Sequence, residues 1–205
     1  VKVIIAGLDS SNDRLADNQN RNKVNRELIH NTNEKLSATE SKMEALRNIT
    51  ERYDGYGNSI RRVMEQKQWN PGIIGVVADI ITVNQKYEVA VETALGGSIQ
   101  NIVTEDDATA KRMISYLKTN RLGRATFLPL NTITDRGSVK SDVLQEKGVI
   151  GVAADLVEVD SRFNTLVKNL LGRIIVVDNI DNALAVARKN NQSLRLVTIE
   201  GELVN

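Results

Sequence analysis

Cysteine is absent from the sequence, and histidine occurs only once, at His30. Without cysteine the chain has no disulfide framework and no thiolate ligand for a metal. A single histidine leaves little basis for a histidine-based metal site or a Ser-His-Asp triad. We therefore expect no metal centre and no triad catalysis, and we interpret His30 as an ordinary helix residue.

Aromatic residues are also scarce, at 3% of the 205 residues, so a base-stacking surface has little material. The 27 Lys and Arg nearly balance the 26 Asp and Glu. A net charge of +1 excludes a chain that coats nucleic acid through bulk charge, but it leaves a local basic patch open. No apolar segment approaches the roughly 18 residues of a membrane span, and the N-terminus lacks a signal-peptide pattern. The sequence therefore predicts a soluble, cytoplasmic protein without a membrane partner.

One apolar run, Gly72-Ile-Ile-Gly-Val-Val-Ala-Asp-Ile-Ile81, is rich in β-branched residues and favours a strand buried on both faces. The pattern returns 76 positions later as Gly148-Val-Ile-Gly-Val-Ala-Ala-Asp-Leu-Val157. Downstream, Leu95-Gly96 matches Leu171-Gly172 at the same offset. The sequence thus predicts a duplicated α/β unit.

Residues 9–53 contain neither glycine nor proline, and one position repeats every seven residues along this part of the chain. This position is occupied by Leu8, Leu15, Asn22, Ile29, Leu36, Met43 and Thr50. A seven-residue repeat predicts a helix that supercoils against a partner helix, and Asp9-Ser-Ser-Asn-Asp13 supplies residues that favour its N-cap. The helix would be about 68 Å long at about 1.5 Å per residue, which is too long for the remaining chain to cover. The second seam position, three residues further on, is occupied by Ser11, Asn18, Asn25, Thr32, Thr39, Leu46 and Tyr53. Because half of the positions of this seam are Ser, Asn or Thr, a polar surface helix is the alternative.

Two glycines in Tyr53-Asp-Gly-Tyr-Gly57 end this helix. The Gly55-x-Gly57 spacing lacks the preceding strand and the third glycine of a nucleotide loop, so we predict no nucleotide site. Each following half is predicted to be strand–helix–strand–helix–strand, which makes the fold class α/β (α+β) with mixed sheets. The predicted strands are 73–78, 99–103, 125–128, 149–154, 174–177 and 194–199. The predicted domains are an arm helix (1–53), a first subdomain (54–133), a linker (134–147) and a second subdomain (148–205).

A series of short segments then follows in a distinctive order and spacing. They are Tyr53-Asp-Gly-Tyr56, Ser59-Ile-Arg61, the run from Gly72 to Ile81, Tyr87-Glu88, Ala94-Leu-Gly-Gly97, Gln100-Asn-Ile-Val-Thr104, Gly123-Arg-Ala-Thr-Phe-Leu-Pro129 and Leu196-Val-Thr-Ile-Glu-Gly201. Together they resemble the hinge domain of the bacterial SMC (structural maintenance of chromosomes) proteins over residues 53–205. The heptad helix before them fits the arm expected there.

The resemblance implies a non-enzymatic module at the far end of a long antiparallel coiled coil whose other end carries an ATPase head. Two hinges are expected to form a homodimer that embraces DNA during chromosome condensation and segregation, which implies a nucleoid-associated protein. The family continues past this point into a glycine-rich run and a returning helix. We therefore expect the partner of the arm in another chain or in sequence that follows Asn205 in the natural protein. We expect no catalytic residue and no cofactor here, and the chain has no phosphate loop with which to hydrolyse ATP.

The resemblance favours a dimer contact in the segment 96–103, formed by edge-to-edge pairing of strands. The predicted interface residues are Gly96, Gly97, Ser98, Ile99, Gln100, Asn101, Ile102, Val103 and Gly172. The alternative for Gly96, Gly97 and Gly172 is that they are tight helix ends.

Two basic clusters are candidates for non-specific contact with DNA phosphates. They are Arg61, Arg62 and Lys67, and then Lys111, Arg112, Lys118, Arg121 and Arg124. Ordinary solvated helix faces are the alternative. Direct nucleic-acid binding through these clusters is thus a second functional hypothesis beside dimerisation.

A third hypothesis is an α/β enzyme or metabolite-binding domain whose site lies between the repeats. Asp79 and Asp155 hold equivalent places, and they could form an acid/base dyad that shares a proton. Alternatively, each aspartate closes its strand and hydrogen-bonds the adjoining turn.

Overall fold

The computed structural model describes residues 2–53, 55–137, 139, 141–190 and 194–204. The chain forms two compact units, Val1–Arg52 and Tyr53–Asn205. The first unit contains one helix of 51 residues, α1 (Lys2–Arg52), so the predicted long helix is confirmed. The predicted N-cap at Asp9–Asp13 is wrong, because the helix already runs through these residues and through Gly7. An isolated glycine costs a helix only about 1 kcal/mol relative to alanine, which does not stop a helix of this length.

The second unit alternates short helices and strands. Its helices are α2 (Asn58–Glu65), α3 (Val77–Ile80), α4 (Glu88–Leu95), α5 (Asp107–Thr119), α6 (Asn164–Leu171) and α7 (Ile180–Lys189). Its strands are β1 (Ile73–Val76), β2 (Thr82–Val83), β3 (Ile102–Thr104), β4 (Phe127–Pro129), β5 (Val149–Val152), β6 (Val157–Glu158), β7 (Ile174–Val177), β8 (Arg195–Thr198) and β9 (Leu203–Val204). Short 3-10 helices lie at Gln66–Gln68, Gln85–Tyr87, Gly96–Gln100, Ser141–Gln145, Ala153–Leu156 and Ser161–Phe163.

The duplication is visible in the sheets. Strands β1, β3 and β4 form one sheet in that order, and β5, β7, β8 and β9 form another. In each sheet the first pair is antiparallel, with a register irregularity next to Gly75 or Gly151, and the second pair is parallel. Strand β2 of the first half pairs with β6 of the second. The predicted mixed sheets and related halves are therefore confirmed.

The sequence favoured a single strand for the apolar run from Gly72 to Ile81, but the run forms a strand followed by a helical turn. Strand β1 ends at Val76, and the helical turn α3 follows. The carboxylate of Asp79 accepts the Val76 N–H at 3.2 Å, and the Val77 N–H donates to the Asn101 carbonyl at 3.0 Å. These bonds satisfy the backbone where the chain leaves the sheet, so the prediction of a strand to residue 78 was too long.

A 3-10 helix occupies Gly96–Gln100, where the sequence predicted the start of the next strand. Gly96 ends α4 with φ 50° and ψ −133°, a conformation that is accessible almost only to glycine. The chain therefore turns before it enters β3 at Ile102. The interpretation of Gly96 as a tight helix end is confirmed.

One hydrophobic core joins the two halves. Val77 and Val103 from the first half pack in the same cluster as Ala153 and Val176 from the second, and all four are fully buried. A smaller cluster lies under α7. The subdomain boundaries on either side of 134–147 remain a prediction. Among the helices that the structure describes, none has an apolar stretch suited to crossing a bilayer.

Candidate functional site

The two larger sheets, β1-β3-β4 and β5-β7-β8-β9, have four outer edges, and two of these edges are covered by the chain itself. At β1, the ammonium of Lys67 donates to the Ile74 carbonyl at 2.6 Å. At β5, the 3-10 helix Ser141–Gln145 lies alongside, and the Val149 N–H donates to the Glu146 carbonyl at 3.1 Å. Proteins commonly protect exposed strand edges with lysine side chains and local coverage, so neither edge is well placed to pair with another chain.

The outer edge of β4 pairs with no strand in the described part of the chain. The Ile102 N–H donates to the Thr126 carbonyl at 2.9 Å, and the Leu130 N–H donates to the Thr104 carbonyl at 2.9 Å. Because alternate residues of a strand bond to opposite neighbours, Thr126 and Leu130 face β3 and the backbone of Phe127 faces outward. Phe127 thus presents one N–H and one C=O to the outside.

The outer edge of β9 is similarly free of a partner strand among the described residues. The Thr198 N–H donates to the Glu202 carbonyl at 2.9 Å, and the antiparallel register sets Val204 opposite Leu196. By the same alternation, Glu202 and Val204 bond to β8 and the backbone of Leu203 faces outward. The Leu203 side chain is 40% exposed. We call Phe127 and Leu203 the edge pair.

The predicted interface residues do not form one surface. Ile102 and Val103 are fully buried in β3, the middle strand of its sheet. The prediction of edge-to-edge pairing through these two residues is therefore wrong, because β3 already pairs with a strand on each side. Gly96, Gly97 and Gln100 are exposed, whereas Ser98, Ile99 and Asn101 are half-buried; an interface role for them stays a prediction.

Gly172 is buried at the end of α6. Its N–H donates to the Lys168 carbonyl at 2.9 Å, and an added Cβ would collide with that carbonyl. This contact explains the glycine through packing within the chain and supports the interpretation as a tight helix end. It gives no support to the predicted interface role.

Asp79 has a structural role, since its carboxylate accepts the Tyr53 hydroxyl and the Val76 N–H. Tyr53 is only 3% exposed, so the bond ties the first residue of the second unit to the end of β1. Asp155 is exposed in the 3-10 helix Ala153–Leu156. The two aspartates therefore differ in surroundings, and these contacts favour strand closure over a catalytic dyad at Asp79.

Comparison with known proteins decides the family. The family model described as SMC proteins Flexible Hinge Domain matches residues 70–187. The chain belongs to the SMC hinge family. The chromosome partition protein Smc of Lactiplantibacillus plantarum is 40% identical over 172 residues, which are 82% of this chain and 14% of that protein. The chain thus spans only a small part of this curated relative.

Two solved structures of SMC hinges have the same fold. The asymmetric dimer of the Geobacillus stearothermophilus SMC hinge domain gives a TM-score of 0.71 at 33% identity, covering 86% of this chain and 73% of that one. The Pyrococcus furiosus SMC hinge domain gives a TM-score of 0.61 at 37% identity, covering 81% and 85%.

The predicted basic clusters of this SMC hinge are partly brought together. The Ser59 hydroxyl of α2 donates to the Arg124 carbonyl at 2.7 Å, and Lys118 and Arg124 line one groove beside α5. Lys111 and Arg121 are exposed, and Arg61 is half-buried. Three other members are engaged within the chain: Arg62 with Glu65 at 3.0 Å, Arg112 with Thr109 at 2.8 Å, and Lys67 with the β1 edge.

The arm helix of this SMC hinge carries an exposed apolar seam. Leu15, Ile29, Leu36 and Met43 are 54–66% exposed. Thr32 and Thr39, from the second seam position, form hydrogen bonds within the helix. The Thr32 hydroxyl donates to the Leu28 carbonyl and the Thr39 hydroxyl donates to the Lys35 carbonyl, both at 2.7 Å. Their methyl groups then remain for packing. The seam is therefore less polar than the sequence suggested.

Sequence reasoning missed the edge pair in this SMC hinge. Strand order within a sheet depends on contacts that are distant in sequence, so the outer position of β4 had no local signature. Pro129 was a usable signal, because proline in a sheet is largely confined to edge strands.

Proposed function

We propose that this chain is the homodimerisation hinge of a chromosome-partition SMC protein, joining two coiled-coil arms so that the dimer embraces DNA. The parent protein would hydrolyse ATP through head domains elsewhere, and the hinge would act by geometry, without catalytic residues or a cofactor. This role implies association with the nucleoid. Membership of the hinge family supports the proposal, as does the dimeric Geobacillus relative.

The observation that carries the proposal is the edge pair. Phe127 and Leu203 each direct one N–H and one C=O outward from a strand that has no second neighbouring strand among the described residues. Two residues opposite each other in an antiparallel ladder exchange both of these bonds. Phe127 of one copy would pair with Leu203 of the other, and two-fold symmetry would generate a second such contact. The first sheet of one copy would thereby continue into the second sheet of its partner.

The exposed seam of α1 supports the other half of the proposal. A row of apolar side chains at seven-residue spacing is the packing face of a coiled coil. The occupant would be the returning helix of the same parent chain, which gives the antiparallel arm of the family.

Sedimentation equilibrium tests the dimer. We expect a mass near twice the 22.7 kDa chain mass. Leu203→Glu would place a charge on the pairing edge and weaken dimerisation at least about tenfold, since charges at strand edges oppose pairing. The matched control is Leu184→Glu, because Leu184 is 39% exposed on α7 and belongs to neither edge strand. Equal dimer affinity in the two variants would contradict the proposal.

Direct contact with DNA is a second candidate, favoured by the shared groove of Lys118 and Arg124. Replacing both residues with glutamine should lower affinity for duplex DNA. It should also reduce the slope of log affinity against log salt by about 2, because each phosphate that a cation neutralises contributes about 0.9 to that slope. Lys86→Gln with Arg188→Gln removes the same charge elsewhere and is the control. An unchanged slope in the Lys118 and Arg124 variant would exclude this groove.

A further inference from the structure

A second cavity lies between the two halves of the hinge, on a different set of residues from the groove beside α5. Its volume is about 220 Å³. It is lined by Ala94, Leu95, Ser98, Asn101, Leu128, Arg136, Asn169, Leu170 and Arg195. Two of these side chains are cationic, three are neutral hydrogen-bonding groups and none is acidic. The chain as a whole carries a net charge of only +1, so this concentration of positive charge is local.

The fold places Arg136 at the cavity by fixing the segment on either side of it. The side-chain amide of Asn169 donates to the Thr134 carbonyl at 2.7 Å, which ties the linker to the end of α6. The Asp135 carboxylate accepts the Gly137 N–H at 2.8 Å, and Gly137 has φ 85°. This turn, which aspartate and glycine both favour, holds Arg136 at its centre.

Arg195 comes from the second half of the hinge, on the first position of β8. Its backbone lies in the parallel ladder opposite Ile174, while its side chain is exposed. Within the described part of the chain, neither Arg136 nor Arg195 forms an ion pair with a carboxylate. Two guanidinium groups that share a cavity without a carboxylate repel each other, and an anion between them would reverse this repulsion.

We propose that this cavity binds a small phosphate-class dianion, held by the guanidinium groups of Arg136 and Arg195. Guanidinium presents planar pairs of donors that match the oxygens of phosphate and carboxylate. Two such groups balance the two charges of hydrogen phosphate better than the single charge of a carboxylate. Ser98 and Asn101 also line the cavity, and their hydroxyl and amide groups are neutral donors. A cavity of this size is smaller than the pockets that enclose drug-sized ligands, so it suits inorganic phosphate or the phosphate of a small ester.

The main competing explanation also lies in the fold. Helices α4 and α6 both end beside the cavity, at Leu95 and Leu171, and helix C-termini attract cations. The arginines would then serve to neutralise helix ends, and added phosphate would have no specific site. The inference does not depend on dimerisation, because both arginines and all lining residues belong to one copy.

The test is a titration of the isotopically labelled full chain with inorganic phosphate at constant ionic strength, followed by NMR. The Nε–H signals of Arg136 and Arg195 report the site directly. We expect saturable shifts at both arginines, and about tenfold weaker binding in Arg136→Gln and in Arg195→Gln. Arg188→Gln is the control, since Arg188 is exposed on α7 outside the cavity. Retained dispersion of the other signals shows that each variant is folded.

Three further arms identify the ligand. Sodium chloride and acetate at matched ionic strength should not produce the saturable shifts. Adenosine monophosphate should compete with inorganic phosphate if a terminal phosphate is the recognised group. Linear, non-saturating shifts, or equal binding by the Arg136→Gln and Arg188→Gln variants, would overturn the proposal. Shifts with a DNA oligonucleotide but none with free phosphate would also overturn it, in favour of a polymer contact.

Discussion

Removing the carboxylate of Asp79 should destabilise the hinge, whereas removing its repeat counterpart Asp155 should not. Asp79 accepts the hydroxyl of the buried Tyr53 and the N–H of Val76. Hydrogen bonds to charged groups contribute about 1.5–3 kcal/mol each. Because Asp79 itself is exposed, water replaces part of the loss, and we expect about 2 kcal/mol for Asp79→Ala. For a unit of this size that corresponds to a fall in Tm of about 4–8 °C.

The assay is urea unfolding, followed by far-ultraviolet circular dichroism. Asp155→Ala is the matched control and should change the free energy of unfolding by less than about 0.5 kcal/mol. Tyr53→Phe completes a double-mutant cycle with Asp79→Ala, and the coupling energy between the two should be about 1 kcal/mol. Equal losses at Asp79 and Asp155, or no coupling between Tyr53 and Asp79, would refute the reasoning.

Three further predictions concern local features. The N–H and side chain of Thr109 lower the pKa of the Asp106 carboxyl at the start of α5, and Arg112 adds to this. The stabilising contribution of the Asp106 carboxylate is therefore complete above the usual carboxyl pKa and is lost as pH falls through the lowered value. Asp106→Asn keeps the cap and should remove this part of the acid dependence in urea titrations from pH 6 to about 2. Gly148→Ala should cost about 2 kcal/mol in urea unfolding, because Gly148 has φ 85° and lies against Asn182, whereas Gly151→Ala meets nothing within 4 Å and should cost much less. Lys67→Met should expose the β1 edge and raise the higher-order mass seen by light scattering, whereas Lys111→Met should not. Equal stability of the two glycine variants, equal light scattering by the two lysine variants, or an unchanged acid dependence of Asp106→Asn would each contradict the prediction concerned.

The duplication was predictable because the two repeats share a recognisable local sequence pattern. The matched runs at Gly72 and Gly148 predicted the same strand, helix and strand order in both halves, and the sheets have it. The end of β1 was not predictable in this way. An apolar run indicates burial but not where a strand stops, and β1 stops where the Val77 N–H meets the Asn101 carbonyl, a contact between distant segments.

The candidate site was less predictable than the fold. The resemblance directed attention to 96–103, yet the strand in that segment is central and its hydrophobic residues serve the core. Which strands are outermost follows from the order of the sheet, and which of those are open follows from side chains such as Lys67 reaching across from another element. Neither fact has a signature at Phe127 or Leu203 themselves. The basic cluster around Lys118 could be recognised from the sequence, because charged residues can be counted without knowing the fold.

Disulfide trapping of the edge pair tests the central claim most directly. The chain has no cysteine, so Phe127→Cys and Leu203→Cys variants each carry one thiol. Hydrogen-bonded antiparallel partners lie about 5.5 Å apart between Cα atoms, which is within the range that a disulfide spans. On mild oxidation, a mixture of the two variants should give a covalent dimer that joins position 127 of one copy to position 203 of the other, whereas each variant alone should cross-link poorly. Absence of the mixed disulfide, or an equal yield with Leu184→Cys in place of Leu203→Cys, would contradict the account.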